Sequence, residues 1–444
     1  MDRGRLPPFD VETPVLVLKI GTYDLHHGSL GIVRSLGRVG VPVYAILDGR
    51  LAPMALSRHL RGGFVWVTSG DERDLVEQLS RIGRRLPRRS ILVPTDDEAA
   101  ILVAEHAHVL AEWFRFPRQP STLPRSVASK QSLYHLCRRL GVPCPEAAFP
   151  SSEQDLLGFV ERASFPVMLK AVEPWLFGRR TGLRSTLLLR TPDELVEVFR
   201  GLQGRPGSRV MLQDYIPRGV AEDWIVHGYC DAGSRCRVAY TGVKLRAYPP
   251  DAGLTTLGRC AANPSLLAQV QAMLERLEYR GILDMDWRLD RRDGQYKLLD
   301  FNPRVGAQFR LFEDEHGLDV VRAMHLDLTA REIPTPSQPQ GRGYVVEHLD
   351  CLAAMGQWRH GALTVRQWLA SLRCVRECAW FARDDPLPFV MLCLRFALRG
   401  ARRTVRPRRQ QRGPARLRVR LALAAAAARW LSHGRAQRSG GGPR

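Results

Sequence analysis

Apolar runs and helical apolar patterns alternate along the first part of the chain. Residues 13–47 contain an apolar run, a polar loop, a segment with apolar residues at helical spacing and a second apolar run, which predicts strand, helix and strand. Residues 73–111 predict helix, strand and helix in the same way. This alternation is typical of parallel βαβ units. Ligand crevices form at the carboxyl ends of such strands, which are followed here by Gly21, His27 and Asp97.

The middle of the chain begins with a helix and continues as strands. A helix is predicted after Ser126, with Lys130 in its early turns and Gly141 at its end. An apolar strand that carries Lys170 follows, and three more strands are predicted between residues 210 and 250.

A hairpin is predicted within residues 281–304, GILDMDWRLDRRDGQYKLLDFNPR. A polar turn joins its two strands, and the turn contains Gly294, which accepts a positive φ. Alternation places Leu298 and Asp300 on one face of the second strand. Asp286 lies at a similar distance from the turn, so antiparallel pairing is expected to bring the carboxylates of Asp286 and Asp300 together.

Two neighbouring carboxylates in a half-buried sheet need a cation. Unpaired, they repel each other and one pKa rises, so a hard cation such as Mg²⁺ is their natural partner. Asn302 adds a neutral oxygen ligand, and Arg304 adds a planar donor suited to phosphate or carboxylate. We therefore predict a metal site at Asp286, Asp300 and Asn302 for Mg²⁺, with Mn²⁺ as a substitute. An acidic surface hairpin with a solvated face is the alternative.

This hairpin resembles the metal-binding end of the ATP-grasp ligases. Their motif is an acidic residue on one strand, then a second acidic residue, a spacer, Asn, Pro and Arg. Here it corresponds to Asp286, followed by Asp300, Asn302, Pro303 and Arg304. Both acids are Asp where the family usually has Glu. The resemblance covers roughly residues 13–332 and implies an α/β and α+β chain, with an N-terminal preATP-grasp βαβ domain, an ATP-grasp fold and a mainly helical C-terminal extension.

The resemblance also implies roles for single residues. Contacts with ATP are expected from Lys130, Lys170, Gln213, Tyr215, Ile216 and Glu222, with Asp223 an open alternative to Glu222 for the ribose. Catalytic roles near the γ-phosphate and the substrate carboxylate are expected for Arg304, Arg246 and Lys244. Lys244 and Arg246 are two apart in a strand and are therefore predicted to share a face. A flexible phosphate-covering loop is expected at residues 173–186, where only Gly178 and Gly182 are present.

Length and charge divide the chain further. Its 444 residues are too many for one ordinary core, and we predict domains at 1–123, 124–332 and 333–400, followed by an arginine-rich tail at 401–444. The tail has 13 Arg and no Lys, Asp or Glu, so it supplies +13 of the formal net charge of +21. We predict disorder for the tail, and attachment to an anionic membrane is the alternative. Only five of the 66 basic residues are lysines.

The nine cysteines include no CxxC pair, the N-terminus is not an apolar leader, and no apolar run reaches membrane-spanning length. A cytoplasmic location with free thiols is expected. The expected partners are ATP, a small carboxylate and an amine, amino acids among them, with no specific nucleic acid, and a homodimer is left open.

The function that follows is an ATP-dependent ligase. It would activate a carboxylate as an acylphosphate for attack by an amine, giving an amide, ADP and phosphate. The same fold makes carboxyphosphate in carboxylases, which leaves that substrate class open. The poor glycine loop and the Asp-for-Glu changes leave a catalytically weak ATP sensor open. A basic protein that acts through its tail at a membrane surface is the third alternative.

Overall fold

The computed structural model describes residues 6–21, 25–66, 71–181, 184–205, 207–250 and 253–405. Most of the predicted tail and Gly182 of the predicted phosphate loop lie outside these residues. No helix in the described ranges is long and apolar enough to cross a bilayer.

The N-terminal unit is a parallel sheet of five strands, in the order β3-β2-β1-β4-β5. The central strand β1 is an unbroken apolar run because it is buried on both faces. Asp96 caps the helix after β4, since its Oδ1 accepts the backbone N–H of Ala99 at 2.8 Å. The strands are β1 (Val15–Leu18), β2 (Val43–Leu47), β3 (Leu60–Val65), β4 (Ser90–Pro94) and β5 (Phe114–Arg115). The helices are α1 (His27–Gly37), α2 (Glu72–Arg85), α3 (Asp97–Glu105) and α4 (Ala107–Leu110).

A four-stranded antiparallel sheet follows, in the order β6-β9-β7-β8. The predicted helix with Lys130 is split in two, because Ser129 leaves helical geometry and caps the second part. A helix occupies residues 174–181, where a flexible loop was expected, so that expectation is wrong for these residues. The helices are α5 (Leu123–Ala128), α6 (Lys130–Leu140), α7 (Glu153–Val160), α8 (Pro174–Thr181) and α9 (Pro192–Leu202). The strands are β6 (Ala147–Ala148), β7 (Val167–Ala171), β8 (Thr186–Leu189) and β9 (Val210–Asp214).

The largest sheet has seven strands in the order β14-β13-β10-β11-β12-β15-β16. Its strands are β10 (Ala221–Cys230), β11 (Cys236–Tyr248), β12 (Leu254–Cys260), β13 (Gly281–Asp290), β14 (Gln295–Asn302), β15 (Gly343–Val345) and β16 (Val375–Cys378). The remaining helices are α10 (Pro264–Arg276), α11 (Val320–Leu328), α12 (Glu347–Arg359), α13 (Val365–Ser371) and α14 (Leu387–Val405).

Both faces of the seven-stranded sheet are covered, as β10 shows. Ile225 and Tyr229 belong to the apolar core that contains α11 and the N-terminal unit. Val226 and Cys230 belong to a second core, which contains α6 and α10. Odd and even positions of one strand therefore enter two different cores, in keeping with the two-residue period of a strand.

The C-terminal extension contains the predicted helices and two short strands that complete this sheet. β15 pairs antiparallel with β12, and β16 pairs parallel with β15. The extension also contacts the N-terminal unit, because Arg34 Nε donates to Asp385 Oδ2 at 2.9 Å. Strands after residue 332 thus join strands before it, and the domain boundary at that residue stays a prediction.

Candidate active site

A cleft opens between the four-stranded and the seven-stranded sheets. The four-stranded side supplies Met168 and Lys170 from β7 and Gln213 from β9. The other side supplies Lys244 from β11, and residues of β13 and β14. Seven of the twelve predicted site residues line this cleft: Lys170, Gln213, Tyr215, Ile216, Lys244, Asp286 and Asp300. The fold therefore brings these residues, which are distant along the chain, to one cleft.

Two carboxylates face each other in the cleft. Asp286 on β13 pairs directly with Asp300 on β14, as the sequence predicts. A bulge in β14 makes this register, because Trp287 pairs with Leu298 and leaves Leu299 without an opposite residue. Asp300 and Leu299 both line the cleft, whereas Leu298 lies in the core, so the predicted shared face of Leu298 and Asp300 is wrong.

Three of the chain's five lysines converge on these two carboxylates. Lys244 Nζ lies 2.7 Å from Asp286 Oδ1. Lys130 Nζ contacts Asp300 Oδ1 from the first residue of α6. Lys170 is buried and donates to Leu299 O at 3.3 Å, next to Asp300. A group of three ammonium ions beside two carboxylates of a cleft is suited to an anion that carries several charges.

The pKa values of Asp286 and Asp300 are shifted in opposite directions by burial and by the neighbouring lysines. Burial raises the pKa of Asp286 above its ordinary value, although Lys244 opposes the shift. Burial would also raise the pKa of Asp300, but Lys130 and Lys170 hold it below its ordinary value. Burial lowers the pKa of Lys170, and Asp300 opposes that shift. The charges of the acids and the lysines thus depend on each other, as is typical of functional sites.

The residues present fit a hard divalent cation. Asp286, Asp300 and Asn302 would each bind a metal through side-chain oxygen atoms. The amide nitrogen of Asn302 is hydrogen-bonded to Asp284 at 3.2 Å, which leaves its amide oxygen for the metal. Among the described residues, no group of three His, Cys, Asp or Glu side chains forms a complete metal cage. Two carboxylates with few further protein ligands are the arrangement that Mg²⁺ uses when phosphate oxygens and water complete its shell.

Arg304 lies two residues after the end of β14 and belongs to a second charged group, with Asp97, His227 and Asp284. Its Nη1 donates to Asp284 Oδ2 at 2.7 Å, and its Nε donates to Asp97 Oδ1 at 3.2 Å. His227 Nε2 lies 2.8 Å from Asp284 Oδ1. Burial would raise the pKa of Asp284, but His227 and Arg304 hold it below the ordinary value. Arg304 therefore lies between the hairpin and the N-terminal unit, where β4 ends.

The three residues predicted to contact adenine line the same cleft. Gln213, Tyr215 and Ile216 all line it, in the order in which the chain leaves β9. Asp223 lines the cleft as well and pairs with Arg288 at 2.6 Å. Glu222 instead pairs with Arg291 at 3.2 Å, outside the cleft.

Arg246 is a predicted site residue that does not line the cleft. Its guanidinium is buried and forms a bidentate salt bridge with Asp350 of α12, with hydrogen bonds of 2.8 and 2.9 Å. A bulge at Leu245 in β11 shifts the register, so Lys244 and Ala247 face the cleft while Arg246 faces the other way. The prediction that Lys244 and Arg246 share a face is therefore wrong.

The sequence assigns no role in the site to three residues that complete the charged groups: His227, Asp284 and Arg288. The two-residue strand period does place Asp284 and Arg288 on the face of Asp286, but it does not show which partners they meet. His227 lies opposite Asp284 in the sheet, and Arg288 lies opposite Asp223. These last two pairings depend on the register of β10 with β13, which no local pattern reveals.

Comparison with known proteins gives relatives in sequence and in fold. No protein-family model matches the sequence. The D-aspartate ligase of Enterococcus faecium is 26% identical over 307 residues, which cover 66% of this chain and 72% of that protein. An L-amino acid ligase from Bacillus licheniformis has a similar fold, with a TM-score of 0.55, 14% identity and coverage of 74% of this chain and 78% of that one.

A third similar structure is the biotin carboxylase domain dimer of the Hydrogenobacter thermophilus 2-oxoglutarate carboxylase, in complex with MgADP, ADP and bicarbonate. Its TM-score is 0.53 at 15% identity, with 73% of this chain and 71% of that chain covered. The chain has the ATP-grasp fold. The predicted fold class is thus confirmed, and so is the prediction of an enzyme related to the ATP-grasp carboxylate-amine ligases.

Proposed function

We propose that this chain is an ATP-dependent ligase that joins the carboxylate of an amino acid or a similar small acid to an amine. The observation that carries the proposal is the convergence of Lys130, Lys170 and Lys244 on the facing carboxylates of Asp286 and Asp300. Positive charge for a polyphosphate and oxygen ligands for its divalent cation occur together at one place. The relative named D-aspartate ligase supports an amino acid as the acid.

ATP and Mg²⁺ are the cofactors that this arrangement suits. Gln213, Tyr215 and Ile216 would contact the adenine edge, and Asp223 is better placed than Glu222 to accept hydrogen bonds from the ribose. Lys130 and Lys170 would neutralise the phosphate chain. Asp286, Asp300 and Asn302 would hold the cation, which supplies positive charge that stabilises the phosphates during transfer.

The reaction would proceed in two displacements. A carboxylate oxygen of the acid attacks the γ-phosphorus of ATP. The bond from the γ-phosphorus to the oxygen that bridges it to the β-phosphate breaks, which gives ADP and an acylphosphate. The amine then attacks the acyl carbon, phosphate leaves, and the amine loses a proton to phosphate or water. Positioning and neutralisation of charge carry most of the catalysis of phosphoryl transfer, so Arg304 and Lys244 would orient the acid and steady the transferred group.

Arg246 is left out of this proposal because its buried pair with Asp350 occupies the guanidinium. A cytoplasmic location is part of the proposal, and it is supported by the nine cysteines, all of which are free. A homodimer remains part of the proposal on the strength of the dimeric relative alone.

A nucleotide sensor without ligase activity is the second candidate. The observation that favours it is the direct pairing of lysines with both acids of the metal site, which holds the site together without a metal. The two candidates differ in whether ATP is consumed when a second substrate is supplied.

The experiment that tests the proposal measures ATP turnover by the full chain with Mg²⁺. Pools of amino acids and small carboxylates are supplied, and ADP, AMP and phosphate are followed separately. ADP and phosphate should appear with particular pools only, and Asp300→Ala should lower the rate by at least about a hundredfold. Asp293→Ala is the matched control, because Asp293 belongs to the same hairpin but pairs with Lys297 in the turn. AMP as the product, or no turnover with any pool, would contradict the ligase.

A further inference from the structure

Exposed apolar side chains are concentrated in the C-terminal extension. The structure has 18 exposed large apolar side chains in its described part, and 11 of them lie between residues 352 and 398. They are Leu352, Met355, Trp358, Val365, Leu369, Phe381, Leu387, Val390, Leu394, Phe396 and Leu398. Single exposed apolar residues are ordinary on a protein surface, whereas a concentration of them indicates an interaction surface.

The last helix arranges four of these residues as one stripe. Leu387, Val390, Leu394 and Leu398 follow one another at intervals of three, four and four residues and are each 49–57% exposed. That spacing places them on one side of α14. Leu392 is buried in the core on another side of the helix. The helix is therefore attached to the protein by one side and presents a second apolar side to solvent.

The acidic residues of the extension are all occupied by internal contacts. Between residues 343 and 398 there are five acids. Asp350 pairs with Arg246, Glu377 with Arg310 and Arg342, Asp384 with Arg38, and Asp385 with Arg34, while Glu347 accepts the backbone N–H groups of Trp380 and Phe381. These contacts fasten the extension to the rest of the protein, so its carboxylates do not oppose an anionic partner.

Arginines dominate the remaining charge. Residues 386–444 contain 15 Arg and no Lys, Asp or Glu. Exposed arginines also accompany the apolar residues in the described part of the extension: Arg359, Arg366, Arg373, Arg376 and Arg383. An apolar stripe on a helix that leads into a strongly basic segment matches a bilayer with anionic headgroups, where both kinds of group find partners.

We propose that the exposed side of α14, with the basic segment that follows it, attaches the protein to an anionic lipid surface. The apolar stripe favours a lipid surface over a nucleic acid, because arginines alone are sufficient to bind the phosphates of a nucleic acid. Leu387, Val390, Leu394 and Leu398 enter the boundary between headgroups and acyl chains, and the arginines contact lipid phosphates. The proposal is independent of the ligase reaction, because none of these residues lines the cleft.

The test measures co-sedimentation of the full chain with lipid vesicles. One vesicle population contains phosphatidylcholine alone, and the other contains phosphatidylglycerol as well. The variant V390E/L394E places two charges on the stripe, and L51E/L157E is the matched control because Leu51 and Leu157 are exposed leucines outside the extension. Thermal unfolding checks that each variant is folded, and ATP binding checks that the cleft is intact.

We expect the wild type to bind vesicles with phosphatidylglycerol, and to bind them less as salt is raised. V390E/L394E should lower the affinity by at least about tenfold, while L51E/L157E stays close to wild type. Equal binding by wild type and V390E/L394E would assign attachment to arginine charge alone and overturn the role of α14. A wild type that ignores anionic vesicles, or that is a dimer which V390E/L394E converts to a monomer, would overturn the lipid surface as the partner.

Discussion

Replacing Asp385 tests whether the C-terminal extension is held to the N-terminal unit by one buried ionic group. Asp385 and Arg34 are each only 2% exposed at the side chain. The carboxylate accepts hydrogen bonds from Arg34 Nε at 2.9 Å, Ser57 Oγ at 2.7 Å and the backbone N–H of Arg58 at 3.0 Å. Asp385→Ala removes the acceptor for all three donors at once.

The cost follows from what remains after the carboxylate is removed. Arg34 would keep its hydrogen bonds to Trp380 O and Asp385 O, at 2.7 and 2.8 Å, but its buried charge would have no counterion. Removing one partner of a buried pair costs about 3–5 kcal/mol of folding free energy, because the other charge stays buried. We therefore expect Asp385→Ala to lower the free energy of unfolding by about 3–5 kcal/mol.

Urea unfolding at neutral pH measures this loss, and the neighbouring residue provides the control. Asp384 is 42% exposed and pairs with Arg38, so Asp384→Ala should cost no more than about 1 kcal/mol. Replacing both members of the buried pair by apolar residues, in R34M/D385L, should recover much of the loss.

A loss below about 1 kcal/mol for Asp385→Ala, or an equal loss for Asp384→Ala, would refute the reasoning. In either case the buried pair would not be what fastens the extension. The apolar contacts of α14 with the core would then have to hold it.

Three further predictions concern the cleft and the buried histidine. Lys170→Met should weaken ATP binding about tenfold to a hundredfold in calorimetry, because a charged hydrogen bond to phosphate is lost. Gly306→Ala should lower ligase turnover, since a Cβ there would come within 2.6 Å of Asp284 Cγ and displace it. Burial lowers the pKa of His27 to about 3, so the unfolded chain takes up a proton first as the pH falls below about 6.5. His27→Phe should therefore remove about 2 kcal/mol of the stability difference between pH 7 and pH 5 in urea unfolding.

A specific outcome would contradict each of these three predictions. Lys297→Met is the control for Lys170, because Lys297 pairs with Asp290 and Asp293 outside the cleft, and equal ATP affinities for the two variants would contradict the role of Lys170. Full turnover by Gly306→Ala would show that the position tolerates a side chain. An unchanged pH dependence in His27→Phe would mean that other groups cause the acid sensitivity.

Local patterns were sufficient to predict the parts of the site that neighbouring residues determine. The turn at Gly294 and the two-residue period indicated the pairing of Asp286 with Asp300, and the structure has it. The helix with Lys130 and the strand with Lys170 were also predicted from apolar periodicity. Elements and their order along the chain follow from such patterns because each depends on a few adjacent residues.

The errors came from irregularities and from distant pairings. Bulges at Leu245 and Leu299 each add one residue to a strand and reverse the faces that follow, which misplaced Arg246 and Leu298. The pairing of β15 with β12 joins residues more than eighty positions apart, and the register of such a pair is set by the whole sheet. The helix at residues 174–181 differs from the expected loop because that loop is implied by the family's pattern and not by the local sequence.

The late arrival of β15 has a consequence for how the protein is made. Until residues 343–345 leave the ribosome, β12 is an edge strand whose backbone N–H and C=O groups have no partner on one side. Bare strand edges of this kind invite pairing with other chains. A polypeptide that ends near residue 332 would keep the cleft residues but expose that edge permanently. Such a fragment should aggregate on expression, although every residue of the proposed ATP site is present in it.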